Sequence, residues 1–154
     1  MMSTYLVLTL FLFSFITFGN TEICNPCKAK QEIFTDKAPS SSVHAQAILA
    51  GNFLFVSGFL GETPDGKIID ETAGGQTRQA LTNIGNILQE ANFDFSHVVK
   101  TVVVLSDIND YDEVNEAYKD FFPDPTPARS VVGPPIGGLP LDAKVAIDVT
   151  AVAN

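Results

Sequence analysis

The stretch "HVVKTVVVLSDINDYDEVNEAYKDFFPDPTPARSVV" (97–132) decides the fold, because a strand, a helix and a second strand follow one another in it. Six of its first ten residues are β-branched and the run is nearly continuously apolar, which is typical of a central strand covered on both faces. Apolar residues then recur at helical spacing, at Val114, Ala117, Tyr118 and Phe121. Pro123 ends this helix by Phe122 at the latest.

The boundaries of that helix and of the next strand are also marked. Asp110 and Glu113 have the spacing of a capping box, with Asp in place of Ser or Thr. After the prolines, a short strand is expected from Arg129 to Val132, and a Gly/Pro loop over 133–140.

Upstream of this stretch, "HAQAILAGNFLFVSG" (44–58) predicts two strands around a tight turn at Gly51–Asn52. A second turn is predicted at 64–66, Pro-Asp-Gly, with a further strand before the first helix. That helix is indicated by an apolar stripe at Ala80, Leu81, Ile84, Ile87, Leu88 and Ala91. Asn92 suits a left-handed helix end.

The last strand, "AKVAIDVTAVAN" (143–154), alternates in period two. One face receives Val145, Ile147, Val149 and Ala151, and the other receives Lys144, Ala146, Asp148 and Thr150. The element order predicts an α+β domain, a mixed sheet of about six strands with two helices on one face. Because its second face stays apolar and uncovered, self-association is expected.

The first 20 residues contain no Asp, Glu, Lys or Arg. The apolar run over 6–18 is shorter than the roughly 20 residues of a membrane-spanning helix and fits a secretory signal peptide. We expect residues 1–20 to be removed, which gives a secreted protein without stable membrane insertion. An uncleaved membrane tether and a cytosolic chain are the alternatives.

Residues 21–31 are predicted to form a flexible tail and residues 32–154 the folded domain. The tail contains Cys24 and Cys27, too few ligands for a structural zinc site. A redox-active cysteine pair needs a strand before it and a helix after it, and the sequence predicts neither here. A disulfide within or between chains is therefore favoured.

The formal net charge is −9, and no basic stripe is visible. Nucleic-acid affinity depends mainly on Lys and Arg at phosphates. We therefore expect no nucleic-acid partner.

Several segments resemble the RidA/YjgF family of reactive-intermediate deaminases, whose members also carry the name L-PSP endoribonucleases. The segments, in chain order, are "KAP", "AQAI", "FVSG", "RQALTNIGNIL", "VVKT", "LSDIND", "VNEAYKDFF", "PARS" and "KVAIDVTAVA", over about residues 33–153. The resemblance implies a chorismate mutase-like fold, assembled as a homotrimer with clefts between subunits. It further implies hydrolysis of 2-imino acids to 2-oxo acids and ammonia without a metal or organic cofactor.

The same resemblance implies roles for individual residues. Arg129 matches the arginine that binds the substrate carboxylate, and Asp148 stands where the family usually has a water-orienting Glu. Ser57, Asn115 and His44 match, or lie near, substrate-binding positions. Phe59 and Val131 replace the usual Gln and Cys, and both are expected to line or border the cleft. The loop "GPPIGG" is about two residues longer than in well-known members.

The residue chemistry agrees with these roles but leaves alternatives. A planar guanidinium can donate two parallel hydrogen bonds to a carboxylate, or can form a structural salt bridge. Asp148 can orient water or lie on a solvated strand face. The Ser57 hydroxyl can position substrate or form a hydrogen bond with the backbone at a strand end. The Asn115 amide can reach a cleft or solvent. His44 can shuttle a proton or be an ordinary surface residue.

Three functions follow. The favoured hypothesis is an imine deaminase acting on a small 2-imino carboxylate. A trimer of the same fold that binds a small carboxylate without turnover is the second. An endoribonuclease, which the older family name suggests, is disfavoured by the acidic charge.

Overall fold

The computed structural model describes residues 30–133 and 135–153, and these residues form one mixed six-stranded sheet with two α-helices on one face. The strands are β1 (Gln31–Ile33), β2 (Ala47–Ala50), β3 (Phe53–Leu60), β4 (Val98–Leu105), β5 (Ala128–Val132) and β6 (Val145–Val152). The helices are α1 (Ala73–Glu90) and α2 (Tyr111–Tyr118). The strand order is β1-β2-β3-β6-β4-β5, in which β4 and β5 are parallel and the other neighbours antiparallel. The predicted α+β class is confirmed.

The hairpin of β2 and β3 forms where the sequence predicts it. Ala50 pairs with Phe53 around the turn, and Gly51 has φ +60°. A positive φ favours glycine, so this residue allows the two strands to reverse within two residues.

The further strand expected ahead of α1 is wrong. After the turn at Gly66, Ile68 makes a single β-bridge to Glu62, and the segment between this bridge and α1 contains no strand. Ile69 is 59% exposed, so this short segment has little apolar surface to bury against the sheet. The sixth strand is instead β1, which pairs with β2 and begins at the last residue of the predicted tail.

Helix α1 follows its predicted stripe and stop. The Thr72 side chain accepts a hydrogen bond from the Gly75 N–H at the N-terminus. At the other end Asn92 takes φ +62°, as predicted. Most of the stripe is inaccessible to solvent, namely Ala80, Leu81, Ile84, Ile87 and Leu88. Burial of this stripe fixes the helix on the sheet.

The predicted capping box of α2 is wrong. Asp110 makes no capping hydrogen bond, and its Oδ2 atom is covered without a partner among the described residues. Glu113 Oε1 instead accepts a 2.9 Å hydrogen bond from the Gly74 N–H in the first turn of α1. A carboxylate is favourable there because helix N-termini leave N–H groups unpaired. Helix α2 ends at Tyr118, before Phe122, as predicted.

The two faces of the sheet differ in what covers them. Both helices cover an inner face whose buried residues include Leu54, Val56, Val103, Leu105, Val145, Ile147 and Val149. The opposite face, here called the outer face, exposes about half of Phe53, Phe55 and Val132. Nothing within residues 30–133 and 135–153 packs on it, so it is an apolar surface available to a partner.

The predicted signal peptide, Cys24 and Cys27 lie outside the described residues. Within the described residues, neither α-helix has the length and apolar character that a bilayer crossing needs. The same part of the chain contains no group of three or more His, Cys, Asp or Glu side chains arranged to hold a metal ion.

Candidate functional site

Arg129 lies on the edge strand β5, in register with Thr101 of β4. Because Thr101 is buried against α2, this register directs Arg129 to the helix-covered face. Its Nη1 donates a 2.5 Å hydrogen bond to Asn115 Oδ1. The guanidinium carbon lies 4.3 Å from the ring centroid of Tyr118 and 5.9 Å from that of Tyr111. We call these four residues, Arg129, Asn115, Tyr118 and Tyr111, the arginine group.

The guanidinium has unused donors. Its Nε and Nη2 atoms are shielded from solvent and have no acceptor among the described residues. Arg129 also makes no salt bridge within this part of the chain, so the alternative of a structural ion pair receives no support. A covered donor without an acceptor costs about 1–3 kcal/mol, so an external acceptor would stabilise this arrangement.

Burial lowers the pKa of Arg129, and the two tyrosines oppose that shift. Arginine starts from so high a pKa that the group stays cationic at working pH. Burial raises the pKa of the Tyr118 phenol, against its hydrogen bond to Thr101 and the field of Arg129. The arginine group therefore presents a cation beside a neutral phenol.

A cleft of about 600 Å³ opens beside this group, lined by Asp112, Asn115, Glu116, Tyr118, Lys119 and Arg129. Lys119 Nζ and Glu116 Oε1 lie 2.6 Å apart, so these two rim charges pair with each other. This volume is within the usual range for small-molecule sites.

A second polar group forms around Asp148 in β6. The register of β3 against β6 shifts, since Val56 pairs with Val149 and Phe59 with Ile147. Ser57 and Gly58 are thus two residues opposite the single residue Asp148, the arrangement of a β-bulge. The Ser57 hydroxyl donates a 2.7 Å hydrogen bond to the Ala45 carbonyl. We call Ser57 and Asp148 the serine–aspartate group.

Asp148 lies on the outer face and is half-buried. It pairs with Val102 of β4, and Lys100 is two residues away on the same face of that strand. Desolvation raises the pKa of Asp148, and the charge of Lys100 acts in the opposite direction. Lys100 Nζ itself donates a 2.6 Å hydrogen bond to Ser130 Oγ.

His44 is exposed and lines a groove of about 470 Å³ with Lys30, Glu32, Ser41, Ser42, Val43, Ala45 and Ile48. It precedes Ala45, whose carbonyl accepts the Ser57 hydroxyl, so it lies near the serine–aspartate group without a direct hydrogen bond to it in the described residues.

The structure thus brings the predicted residues together as two separate groups. Arg129 contacts Asn115, and Ser57 lies opposite Asp148. Arg129 and Asp148 point to opposite faces of the sheet and lie two strands apart, about 10 Å in its plane. The arginine and serine–aspartate groups of one chain do not form a common cleft.

Sequence reasoning missed the residues that support these groups. Tyr118 was expected only as part of the apolar stripe of α2, and Thr101, Tyr111 and Lys100 were given no role. One signal was available for Thr101. It is a polar residue within an apolar strand, and buried hydroxyls need a partner. Its partner is the Tyr118 hydroxyl, 2.8 Å away.

The expectation that Phe59 lines the cleft is wrong. The bulge turns Phe59 to the inner face, where it is 4% exposed in the hydrophobic core. Val131 is half-buried and packs against the core on the same side of β5 as Arg129, so it borders the arginine group.

The fold and these groups define a class: a small α+β domain with both helices on one face of a mixed sheet and a stacked arginine at the sheet edge. Comparison with known proteins agrees. The family model described as Endoribonuclease L-PSP matches residues 35–153. The chain is 40% identical over 136 residues to Reactive Intermediate Deaminase A, chloroplastic, of Arabidopsis thaliana, covering 87% of this chain and 72% of that protein.

A second relative, the 2-iminobutanoate/2-iminopropanoate deaminase of Rattus norvegicus, is 38% identical over 125 residues, or 80% of this chain and 90% of that protein. The crystal structure of E. coli TdcF with bound serine superposes with a TM-score of 0.74 at 31% identity, covering 80% of this chain and 99% of that one. The chain belongs to the RidA/YjgF/L-PSP family.

Proposed function

We propose that this protein hydrolyses small 2-imino acids to 2-oxo acids and ammonia. The observation that carries the proposal is the state of Arg129, which Asn115 and Tyr118 hold and whose Nε and Nη2 lack an acceptor in the described residues. Two adjacent N–H donors match the two oxygens of a carboxylate. The deaminase names of the relatives, and the serine in the TdcF structure, support a small carboxylate ligand.

The reaction that this arrangement favours is the addition of water to a C=N bond. Arg129 binds the carboxylate, and the protonated imine carbon faces a water molecule. Asp148, when ionised, accepts a proton from that water as its oxygen bonds to the carbon. Asp148 returns that proton to the nitrogen of the resulting carbinolamine, and the C–N bond breaks as the hydroxyl oxygen forms C=O and gives its own proton to Asp148. The products are a 2-oxo acid and ammonia, and Asp148 releases the last proton to solvent. The Ser57 hydroxyl, which donates to the Ala45 carbonyl, positions the substrate by accepting a hydrogen bond from its imine N–H.

The two groups must come from different copies of the chain. An imino acid of three or four carbons is too short to reach Arg129 on one face and Asp148 on the other. A homotrimer that buries the apolar outer face supports such a site, because a neighbouring subunit then brings its own serine–aspartate group to an arginine group. Each cleft would lie between subunits.

The required rate acceleration is modest, because free imino acids hydrolyse in water without a catalyst. Holding the carboxylate and the water in fixed positions provides much of it. A fixed guanidinium suits this role better than a mobile one.

A non-catalytic binding protein is the second candidate, and one observation favours it. The apolar residue Val131 borders the arginine group, so this position offers no polar group to the reaction. The endoribonuclease named by the family model is less well supported, since a net charge of −9 opposes binding to RNA phosphates.

The test is an imine generated in the assay by an amino-acid oxidase and trapped with semicarbazide. The wild-type protein should reduce semicarbazone formation, and Arg129→Ala should abolish that effect. Arg78→Ala is the matched control, because Arg78 is exposed on α1 and 3.7 Å from Asp120. Binding of 2-oxobutanoate without imine hydrolysis would favour the binding protein. Undiminished hydrolysis by Arg129→Ala would remove this residue from the mechanism.

We further propose that residues 1–20 act as a secretory signal. Their charge-free apolar composition supports it. N-terminal sequencing of the protein from the medium of expressing eukaryotic cells tests it, and an intact Met1 on cytosolic protein would contradict it.

A further inference from the structure

Tyr118, the last residue of α2, lies between Arg129 and the hydrophobic core. It is 6% exposed, and its ring lies 4.3 Å from the Arg129 guanidinium carbon. The ring also stacks on that of Phe122, with 4.4 Å between centroids. The Tyr118 hydroxyl forms a 2.8 Å hydrogen bond with Thr101 Oγ1. The ring is therefore held by three neighbours.

These contacts restrict Arg129 in two ways. An aromatic ring attracts the flat face of a guanidinium, which sets its plane. Asn115 occupies Nη1, which sets its rotation within that plane. The nitrogens without any partner among the described residues are Nε and Nη2, which lie along one edge of the guanidinium. End-on binding would require Nη1 to serve the carboxylate as well as Asn115, whereas side-on binding uses only the two nitrogens without a partner.

We propose that Tyr118 is a positioning residue for Arg129 and that, with Asn115, it selects side-on binding of the substrate carboxylate through Nε–H and Nη2–H. This inference rests on the proposed function, in which Arg129 binds a carboxylate. Tyr118 itself does not touch the reacting atoms. The ring, more than the hydroxyl, carries the effect.

Thr101 supports the ring indirectly. It is fully buried and in register with Arg129 on the neighbouring strand, so β4 sets the distance between the ring and the guanidinium. A buried phenol without a partner would be unfavourable, and the Thr101 hydroxyl removes that cost. The position of the guanidinium therefore depends on residues of α2, β4 and β5 together.

The experiment measures binding of 2-oxobutanoate, a stable carboxylate, to the full chain by titration calorimetry. Tyr118→Leu should weaken binding roughly tenfold, between the effects of an exposed and of a fully desolvated cation–π contact. Tyr118→Phe keeps the ring and should stay within about threefold of wild type, since only the hydroxyl is lost. If Tyr118→Phe is as weak as Tyr118→Leu, the ring is not the positioning element and the inference is overturned.

Phe93→Leu is the matched control for a loosened core. Phe93 is 8% exposed and packs against His97, and the described aromatic contacts include none between Phe93 and Tyr118 or the guanidinium. Its binding should stay near wild type even if its thermal stability falls. Equal weakening by Phe93→Leu and Tyr118→Leu would show general loosening and overturn the inference.

A measurement on the wild-type protein does not depend on variant folding. The Arg129 Hε resonance, assigned by its loss in Arg129→Lys, should move downfield when 2-oxobutanoate binds side-on, because Hε then donates a hydrogen bond. Binding with an unmoved Hε would establish end-on contact and refute the side-on mode. A wild-type protein that does not bind 2-oxobutanoate would contradict the proposed function instead, so the two failures are distinguishable.

Discussion

Arg129 and Asp148 lie on opposite faces of one sheet, with strand β4 between their strands. Both pair with β4, Arg129 through Thr101 and Asp148 through Val102. Since consecutive residues of a strand point to opposite sides, this difference of one register position separates the two side chains. A single chain therefore cannot present both to one small substrate, so the proposed reaction requires more than one copy of the chain.

The first prediction concerns that assembly. Phe55→Lys should convert the proposed homotrimer into a monomer, because Phe55 is half-exposed on the outer face, with its ring centroid 6.2 Å from that of Phe53. Burying a lysine charge in an apolar interface is unfavourable. Analytical ultracentrifugation would show the change, and imine hydrolysis should fall with it.

Ile69→Lys is the control for the added charge. Ile69 is also exposed but lies in the loop before α1. It should remain oligomeric and active. An active, monomeric Phe55→Lys would refute the inter-subunit site.

The second prediction is a pH dependence set by Lys100. Desolvation raises the pKa of Asp148 and Lys100 opposes it, so Lys100→Met should raise this pKa further. If ionised Asp148 orients water, activity falls as pH drops through this pKa, and the acidic limb of the kcat/KM profile should move to higher pH. Lys100→Arg should leave the limb near its wild-type position.

The pH dependence of folding stability should also change when Lys100 is replaced. A pKa that is higher in the folded than in the unfolded state means that Asp148 favours folding below its unfolded pKa and loses that contribution as pH rises through the folded value. Lys100→Met should therefore lose more stability between acidic and neutral pH than Lys100→Arg. Urea midpoints at several pH values would show it, and identical profiles would contradict the coupling.

The third prediction separates packing from binding at Phe59. Phe59→Ala should lower the free energy of unfolding by about 3–5 kcal/mol, as is usual for a buried phenylalanine. The folded protein should still bind 2-oxobutanoate normally. Weaker binding without a stability loss would instead place Phe59 in the cleft.

The fourth prediction compares two glycines of the same segment. A Cβ on Gly61 would lie 2.4 Å from Gln76 Cα, so Gly61→Ala should force β3 and α1 apart and cost about 1–3 kcal/mol. A Cβ on Gly58 meets nothing within 4 Å among the described residues, so Gly58→Ala should stay within about 0.5 kcal/mol of wild type. Chemical denaturation of both variants tests the contrast, and equal stabilities would disprove the close approach.

Local sequence pattern was sufficient to predict many of the secondary-structure elements of this protein. The hairpin turn at Gly51, the stripe of α1, its stop at Asn92 and the alternation of β6 all follow from periodicity and backbone preference, which act between near neighbours. At the predicted capping box of Asp110 a distant contact had replaced the local one, whereas the strand predicted before α1 is absent because its segment has little apolar surface to bury. Glu113 accepts from Gly74, 39 residues away in the chain.

The sequence by itself determined the α+β class, the apolar second face and the identity of Arg129 as the candidate anion ligand, because these depend on residue type and short-range order. Tertiary structure alone decided that Arg129 stacks on Tyr118, that Ser57 lies opposite Asp148 and that the sheet divides them. Strand register and a bulge decide such relationships, and a shift of one residue reverses every side chain while leaving the local pattern unchanged.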